Sequence, residues 1–220
     1  MTAVVRFSPQ GAAACGAFLV RVRRLDDNAL LRVRPAADLV ELCCRLPVGV
    51  LAVLSVPAEL DTTTGDEPVV AADVLLRALA AAADQAEVSL SPRRDAEWVG
   101  GLPSGGFERL DAVPAEVVSR LASAGARTFR QAAAGRSAKA ASTLTNAVLD
   151  HVALTVSGPA GRPTVEVTQR LIQGLAATGL VGESAPDSVV QVEVREPWLR
   201  LRSAAGAVYL RRGGGLNLLV

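Results

Sequence analysis

The side chains with the clearest potential for chemistry are arginines near the C-terminal end of the chain. Arg200 and Arg202 alternate with leucines, so they would share one face of a β-strand, and Arg211 and Arg212 close the next alternating run. Guanidinium groups on neighbouring strands could bind an anion or nucleic acid. Like charges on facing strands repel one another, and Glu193 on the preceding strand could relieve that repulsion. The sequence favours this solvated face over a binding surface.

A similar pattern of arginines occurs near the N-terminus. Phe18 to Leu25 and Leu30 to Arg34 each alternate apolar and polar residues, and Asp26 to Ala29 between them form a polar turn. We therefore predict a β-hairpin here. Its outward-facing side chains would be Arg21, Arg23, Arg32 and Arg34. If this hairpin lay beside the C-terminal one, the two would form a single positive surface.

The longest irregular segment is a glycine-rich stretch between residues 91 and 106. Trp98 and Phe107 flank its Gly105-Gly106 pair, and a connection of this length is often a lid or an interface. The stretch lacks the lysine of a phosphate-binding loop. One interpretation is a lid over a small-ligand pocket, but packing of both aromatic rings into the core is favoured.

Residues suited to catalysis or metal binding are sparse. His151 is the single histidine, and its neighbour Asp150 would point to the opposite face of a strand, which disfavours a catalytic triad. Cys15 and the adjacent Cys43-Cys44 lack the spacing of a metal or redox site, so we predict buried free thiols. The sequence therefore predicts no catalytic residue, no metal and no cofactor, and it disfavours an enzyme.

The C-terminal arginines are positioned by a predicted β-meander over Val189 to Val220. Three short runs alternate apolar and polar residues, with Pro197 at one corner and Ser203 to Ala207 as a hairpin loop. The apolar tail Leu216 to Val220 is expected to dock on the fold. The valines and leucines of the meander share its other face, which needs a covering layer of helices.

The middle of the chain supplies the candidate helices. We first expect a short helix over Ala36 to Arg45 and a strand over Val48 to Val56 that is buried on both faces. A helix from Pro68 to about Ala83 and a short strand around Val88 and Leu90 follow. Two further helices are expected, from Pro114 to Gly135 and from Ser137 to about Asp150. The last of these helices should bury Ala140, Leu144 and Val148.

The segment before the meander allows a nucleic-acid interpretation. A helix over Val167 to Leu175 followed by a β-ribbon is typical of a winged-helix domain. The side chains offered to nucleic acid would be Thr168, Gln169, Arg170 and Gln173. They carry only one positive charge, whereas such domains normally have a concentrated basic surface. Nucleic-acid binding is therefore an alternative that the sequence does not favour.

The overall composition indicates which class of protein this is. The 220 residues are 50% hydrophobic and 20% charged with a net charge of +1, which is typical of a globular fold. The longest apolar run, Val48 to Val56, is shorter than the ~20 residues of a membrane-spanning helix. The N-terminus lacks the pattern of a secretory signal, so we expect a cytoplasmic protein without a membrane partner. Only Lys139 among the 23 basic residues is lysine, which indicates the codon bias of a GC-rich bacterial genome.

Several short phrases resemble an actinobacterial family of uncharacterised proteins. They are Leu102-Pro103 with Val113-Pro114-Ala115, Leu154 to Gly158, Trp198 to Leu201, Gly206 to Tyr209, and Arg211-Arg212. The resemblance covers the C-terminal two-thirds of the chain. It implies no activity, cofactor or catalytic residue.

Together these patterns predict one α+β domain over residues 1–220, with a subdomain boundary, if there is one, near residues 100–113. A mostly antiparallel sheet would be formed by the N- and C-terminal hairpins and covered by helices from the middle of the chain. The favoured function is a non-enzymatic interaction or scaffold protein that associates with itself or with another protein. Anion or nucleic-acid binding through the arginine hairpins, and an enzyme with its pocket under the Trp98 to Phe107 loop, are the alternatives.

Overall fold

The computed structural model describes residues 3–63, 65–82, 87–135, 137–158, 164–181 and 187–212. The chain forms two compact units, one comprising Met1–Leu102 with Ala177–Leu180 and the other Pro103–Ala176 with Val181–Val220. Helices and antiparallel strands occur in both units, which confirms the predicted α+β class. The predicted docking of the tail Leu216 to Val220 concerns residues outside the described ranges.

The first unit contains six strands, two α-helices and one 3₁₀ turn among its described residues. They are β1 (Val4–Phe7), α1 (Pro9–Leu25), β2 (Leu30–Ala36), β3 (Leu39–Arg45), β4 (Leu51–Asp61), β5 (Val69–Ala71), α2 (Ala72–Ala82), β6 (Glu87–Ser89) and the turn Asp95–Glu97. The sheet runs in the order β5-β2-β3-β4, and β1 joins β4 to β6. All of these pairings are antiparallel.

The N-terminal arginines are not on a β-hairpin, because the predicted strand Phe18 to Leu25 lies inside α1. Ser8 caps this helix by accepting a hydrogen bond from the Gly11 N–H at 3.0 Å, and Pro9 occupies its first turn. Its buried residues follow the helical period of three and four, from Gly11 and Cys15 through Leu19 to Val22. The helical pattern extends over 17 residues and prevails over the short alternation at its end.

The predicted helix over Ala36 to Arg45 is also wrong. Leu39 to Arg45 forms β3, which pairs with β2 through a tight turn where Ala37 has a φ of 51°. β3 lies between β2 and β4, so Cys43 and Cys44 are both buried although they point to opposite faces. Burial on both faces removes the polar alternation that would have identified a strand.

The predicted strand at Val48 to Val56 is confirmed as the first part of β4, whose Leu51 to Leu54 segment is buried. β3 pairs with Leu51 to Pro57, and β1 pairs with Ala58 to Asp61. One long strand therefore supports both parts of the sheet. The following helix begins later than predicted, because the residues after Pro68 first form the short strand β5.

The second unit contains six strands and three α-helices among its described residues. They are β7 (Glu108–Pro114), α3 (Ala115–Ala133), α4 (Ala138–Asp150), β8 (Val152–Ser157), β9 (Thr164–Thr168), α5 (Gln169–Ala177), β10 (Val189–Arg195), β11 (Trp198–Arg202) and β12 (Gly206–Arg211). The sheet order is β12-β11-β10-β7, and β8 pairs with β9 in a separate hairpin. The predicted C-terminal meander is confirmed as β10, β11 and β12.

The helix α4 begins where predicted but buries a different face. Ser137 caps it by accepting a hydrogen bond from the Ala140 N–H at 3.5 Å. Ala140 is exposed and Leu144 is 37% exposed, so their predicted burial is wrong, whereas Leu149 is buried. The inward face is rotated from the predicted one and leaves an apolar stripe in solvent.

The same succession of elements occurs once in each unit. A strand leads into a helix, and three consecutive antiparallel strands follow, as β1-α1-β2-β3-β4 and as β9-α5-β10-β11-β12. The C-terminal meander is thus the last part of a βαβββ motif, and an equivalent motif opens the chain.

Candidate functional site

The polar face of the C-terminal meander is the candidate site. The register sets Gln191 opposite Arg202 and Glu193 opposite Arg200, and Arg200 is in turn opposite Tyr209 on β12. These side chains share one face because residues that pair across an antiparallel sheet point the same way. Val190, Val192, Leu199 and Leu201 occupy the other face and are buried. The alternation in the sequence predicted this division.

Arg200 forms the centre of this face. It donates a short hydrogen bond to Glu193, which is only 5% exposed, and a longer one of 3.5 Å to the Tyr209 hydroxyl. Its guanidinium carbon lies 4.0 Å from the centroid of the Phe107 ring, which meets the Tyr209 ring edge to face. Burial alone would lower the pKa of Arg200, but the hydrogen bonds to Glu193 and Tyr209 raise that pKa above its usual value. The prediction that this polar face is solvated is therefore wrong for its central pair, Arg200 and Glu193.

The segment from Pro103 to Phe107 covers this part of the face. Gly105 adopts a φ of 73°, and a Cβ built there would lie 3.0 Å from Nη1 of Arg195. Pro103 is buried, and Phe107 is half-buried against Arg200. The segment therefore packs over the middle of the meander and over Arg195 at one end.

At the other end of the face, beside Arg202, is a half-open cavity of about 620 Å³. Its lining comes from the second unit: Val181, Ser188, Val189, Gln191, Arg202 and the Ser203–Ala205 turn. Arg202 is exposed and forms no ion pair with any residue in the described ranges. The cross-strand partner of Arg200 is a carboxylate, whereas that of Arg202 is the neutral amide of Gln191. The positive charge at the cavity is therefore not neutralised by its neighbour on β10.

The eight arginines of the predicted anion surface are divided between the two units, four in each. In the first unit, Arg21 lies on α1 beside Gly179 and Arg23 lies on the same helix, with its Nε buried. Arg32 and Arg34 are on β2, in ion pairs with Glu67 at 2.7 Å and Glu41 at 2.6 Å. The predicted joint surface of two ribbons is therefore wrong, because one of its four strands is a helix.

The remaining two predicted arginines are at the end of the meander. Arg211 is exposed at the end of β12, and Arg212 donates a hydrogen bond of 2.8 Å to Glu196. Of the predicted C-terminal arginines, Arg200, Arg202 and Arg211 share the polar face of the meander with Arg195.

The two aromatic residues of the irregular stretch bind separate arginines. In the first unit Trp98 donates a hydrogen bond of 2.9 Å to the carbonyl of Gly100, and the Arg45 guanidinium carbon lies 5.4 Å from its ring centroid. Trp98 and Phe107 are both half-buried, so the predicted packing of both rings into the core is wrong. Gly105 and Gly106 remain exposed, and the cavity described above is lined by other residues.

The winged-helix interpretation is contradicted by the surroundings of α5. Gln169 donates a hydrogen bond of 3.4 Å to the Leu121 carbonyl, and Gln173 donates one of 2.8 Å to the Ala122 carbonyl. Arg170 donates to Asp150 at 2.5 Å. Three of the four side chains proposed to contact nucleic acid therefore bind neighbouring parts of the second unit.

The thiols are buried as predicted. Burial raises the pKa of Cys15, Cys43 and Cys44 to about 12, so these groups remain protonated thiols. Within the part of the chain that the structure describes, no three metal-ligating side chains cluster closely enough to hold an ion. None of the described helices is long and apolar enough to cross a membrane.

This arrangement of strands and helices is similar to that of bacterial sliding clamps. The β sliding clamp of C. crescentus matches with a TM-score of 0.57 at 15% identity, over 96% of this chain and 65% of that chain. A sliding clamp (DNA polymerase III subunit beta) from Bartonella birtlesii matches with a TM-score of 0.55 at 15% identity, over 97% and 65%. The beta subunit from DNA polymerase of Streptococcus pyogenes matches with a TM-score of 0.57 at 11% identity, over 95% and 64%.

The protein is therefore an α+β protein with a sliding-clamp-like fold, and it spans about 65% of the length of the clamps that it matches. At these identities the likeness establishes the fold alone. The chain belongs to the family of the domain of unknown function DUF8185, whose model matches residues 102–215. Residues 1–100 match a second domain of unknown function, DUF8010, and no curated protein matches the chain. The predicted resemblance to a family without assigned activity is confirmed to this extent.

Sequence reasoning identified Arg202 but missed the cavity beside it. Val181 reaches the cavity through tertiary folding, and no periodicity in the sequence brings it next to β11. One local signal was present in the sequence of β10. Glu193 faces Arg200, but the residue that faces Arg202 is Gln191, which carries no charge.

Proposed function

We propose that the protein is a non-enzymatic scaffold that binds a second copy of itself. The observation that carries this proposal is the sliding-clamp-like fold, which extends over 96% of the chain. A fold shared with DNA polymerase sliding clamps favours a role in holding other macromolecules.

The exposed face of α4 supports self-association. Ala140, Leu144 and Ala147 lie at offsets of four and three residues on this helix and form one apolar stripe, the α4 stripe. The opposite face carries the polar residue Ser142, which is also exposed. Exposed apolar side chains that form a continuous stripe are typical of association surfaces.

The state of the reactive groups supports a non-enzymatic role. The buried carboxylate Glu193 binds Arg200, and the part-buried Glu41 binds Arg34. The thiols are protonated and buried. These groups stabilise the fold through ion pairs and packing, which differs from the poised acids, bases and nucleophiles of active sites.

We also propose that the protein is cytoplasmic and comes from an actinobacterium. Three free thiols are more typical of a reducing compartment than of an exported protein. The near absence of lysine among 23 basic residues supports a GC-rich genome.

Sedimentation velocity of the full chain, from low to high micromolar concentration, tests the scaffold proposal. We expect a species heavier than the 22.7 kDa monomer whose fraction increases with concentration. Leu144→Asp should weaken this association because it places a charge in the α4 stripe, whereas Ser142→Asp on the polar face is the matched control. A monomer at every concentration would overturn the proposal, and equal weakening by both variants would remove α4 from the interface.

A second candidate function, binding of a nucleic-acid backbone, is favoured by one feature of α3. Arg120, Arg127 and Arg130 are exposed and lie within the same half of the helix circumference. Glu116 on this face is 3.9 Å from Arg120, so the face retains a net positive charge. A row of guanidinium groups on one helix face is suited to phosphates spaced along a duplex.

Fluorescence anisotropy of a labelled DNA duplex tests the second candidate. Binding should weaken steeply between about 50 and 200 mM salt, because each phosphate contact releases counterions. Replacing Arg127 and Arg130 by glutamine should reduce both the affinity and the slope against salt. Replacing Arg211 and Arg212 in the meander by glutamine is the matched control. The absence of any salt-dependent anisotropy change would exclude this function.

A further inference from the structure

The cavity beside Arg202 has the features of a ligand site. Its volume of about 620 Å³ lies within the roughly 300–1,000 Å³ that is usual for small-molecule pockets. Gln191, Ser188 and Ser203 supply polar groups, and Val181 and Val189 supply an apolar wall. A few converging polar groups on an otherwise aliphatic surface are typical of such pockets.

The charge at this cavity differs from the charge at the centre of the same face. Two residues away along β11, Arg200 is paired with Glu193 and covered by Phe107. Arg202 faces Gln191, lies outside the cover of the Pro103–Phe107 segment, and forms no ion pair within the described ranges. Its guanidinium can therefore bind an external anion without first breaking an internal salt bridge.

The residues that line the cavity indicate which class of anion it can bind. One guanidinium balances one negative charge, and its planar fork matches the two oxygens of a carboxylate. A bare phosphate would leave the aliphatic wall formed by Val181, Val189 and Ala204 without contacts. A carboxylate carried on a short branched aliphatic group would satisfy both parts of the lining.

We propose that this cavity binds a carboxylate attached to a short aliphatic body, with Arg202 as its anchor. The group could belong to a free small carboxylic acid or to the C-terminal residue of a peptide, since both present the same chemistry. The lining comes from one chain, so the site does not depend on self-association. Failure of the site would leave the scaffold proposal unaffected.

Titration of the full isotope-labelled chain, followed by ¹H–¹⁵N NMR, tests this proposal. The probes are N-acetylvaline, its neutral isostere N-acetylvalinamide, and inorganic phosphate. N-acetylvaline should perturb the Arg202 Nε–H and the backbone amides of Ala204 and Ala205. Its dissociation constant should be at least about tenfold lower than that of the amide, because the charge-assisted bidentate contact is lost in the neutral probe.

The matched variants are Arg202→Gln and Arg211→Gln. Both residues are exposed on the same face of the meander, but only Arg202 lines the cavity. Arg202→Gln should reduce the affinity for N-acetylvaline by about tenfold or more, and Arg211→Gln should leave it unchanged. Equal binding of acid and amide, tighter binding of phosphate than of the acid, or unchanged binding by Arg202→Gln would overturn the proposal. The absence of shifts at these amides would do the same.

A second pair of probes separates the two sources of the carboxylate. A short peptide that ends in valine is titrated with its C-terminus free and with its C-terminus amidated. Tighter binding of the free peptide than of N-acetylvaline supports a peptide C-terminus as the ligand. Equal or weaker binding of the peptide supports a free small acid. Preference for the amidated peptide contradicts the carboxylate site.

Discussion

At the scale of single residues, Arg200 connects three parts of the second unit. It lies between Glu193 on β10 and Tyr209 on β12, and the Phe107 ring covers it. A buried ion pair contributes little net stability when both partners are present, but removing one partner leaves an uncompensated charge. The cost of a substitution here therefore depends mainly on what happens to Glu193.

We expect Arg200→Ala to lower the free energy of unfolding by about 3 kcal/mol, since Glu193 would remain buried without its cation. The measurement is urea denaturation of the full chain. Arg212→Ala is the control, because Arg212 and Glu196 form an exposed pair whose loss should cost less than about 1 kcal/mol. Similar losses in the two variants would contradict the central role of Arg200.

A second cluster of charges closes an edge of the first unit. Arg93 binds both oxygens of Asp66, at 2.5 and 2.6 Å, and Asp95 at 2.7 Å. Asp95 also accepts a hydrogen bond of 2.7 Å from the Val69 N–H, and the Val69 carbonyl accepts one from the Arg94 N–H. The cluster thereby provides hydrogen-bond partners for the N–H and carbonyl groups of Val69. Without these partners the edge of β5 could pair with a strand of another chain.

The Asp66 carboxyl gives this cluster a defined pH dependence. Its hydrogen bonds from Arg93 lower the pKa of Asp66 from 3.8 to about 2. A carboxyl whose folded pKa is depressed stabilises the fold above its unfolded pKa and loses that contribution as the pH falls through the folded value. The stabilisation should therefore be complete at neutral pH and disappear between about pH 4 and pH 2.

We expect Asp66→Asn to destabilise the protein at neutral pH by up to about 1 kcal/mol, because the pair is partly exposed. The difference between variant and wild type should shrink below about pH 4 and vanish near pH 2. Urea unfolding midpoints across this pH range measure it, with Asp38→Asn in the exposed β2–β3 turn as the control. A difference that stays constant across the range would contradict the assignment.

At the scale of elements, the sequence predicted the C-terminal meander better than the N-terminal region. The alternation in Val190 to Arg202 is unambiguous, because one face is aliphatic and the other is polar. In Phe18 to Leu25, Val20 and Val22 fit a strand, while Leu19 and Val22 fit a helix. The capping pair Ser8-Pro9 favoured the helix, but it lies ten residues upstream of the ambiguous segment.

The α4 stripe and the cavity illustrate what a sequence of this kind cannot supply. Alanines lie on both faces of α4. The sequence therefore predicts that a helix forms here, but not which of its faces is buried. Arg202 could be placed on a face from its spacing alone. Its lack of a carboxylate partner depends on strand register, which the sequence left open.

The position of α1 can be tested through its two glycines. A Cβ at Gly11 would lie 2.4 Å from the Pro57 carbonyl oxygen on β4, whereas a Cβ at Gly16 would have nothing within 4 Å. Gly11→Ala should therefore destabilise the protein by about 1–3 kcal/mol through overpacking. Gly16→Ala on the same helix should stabilise it by up to about 1 kcal/mol through helix propensity.

Thermal or urea unfolding gives the stability of the two variants and so tests whether Gly11 packs directly against the backbone of β4. If Gly11→Ala were as stable as Gly16→Ala, the close approach of α1 to β4 would be wrong. The opposite signs expected here are specific to the helix.

At the scale of the whole molecule, the clamp-like fold is the basis of the proposed scaffold role. The two units each contain a βαβββ motif, and the family models cover residues 1–100 and 102–215 separately. The chain spans about 65% of the length of the clamps that it matches. The proposed scaffold role requires this chain to associate with itself.

Hydrogen–deuterium exchange of the full chain, compared between low and high micromolar concentration, can detect this self-association. We expect slower exchange at the higher concentration in a contiguous set of peptides that includes α4 (Ala138–Asp150), and the remaining peptides should be unaffected. Superimposable exchange in every peptide at both concentrations would contradict it.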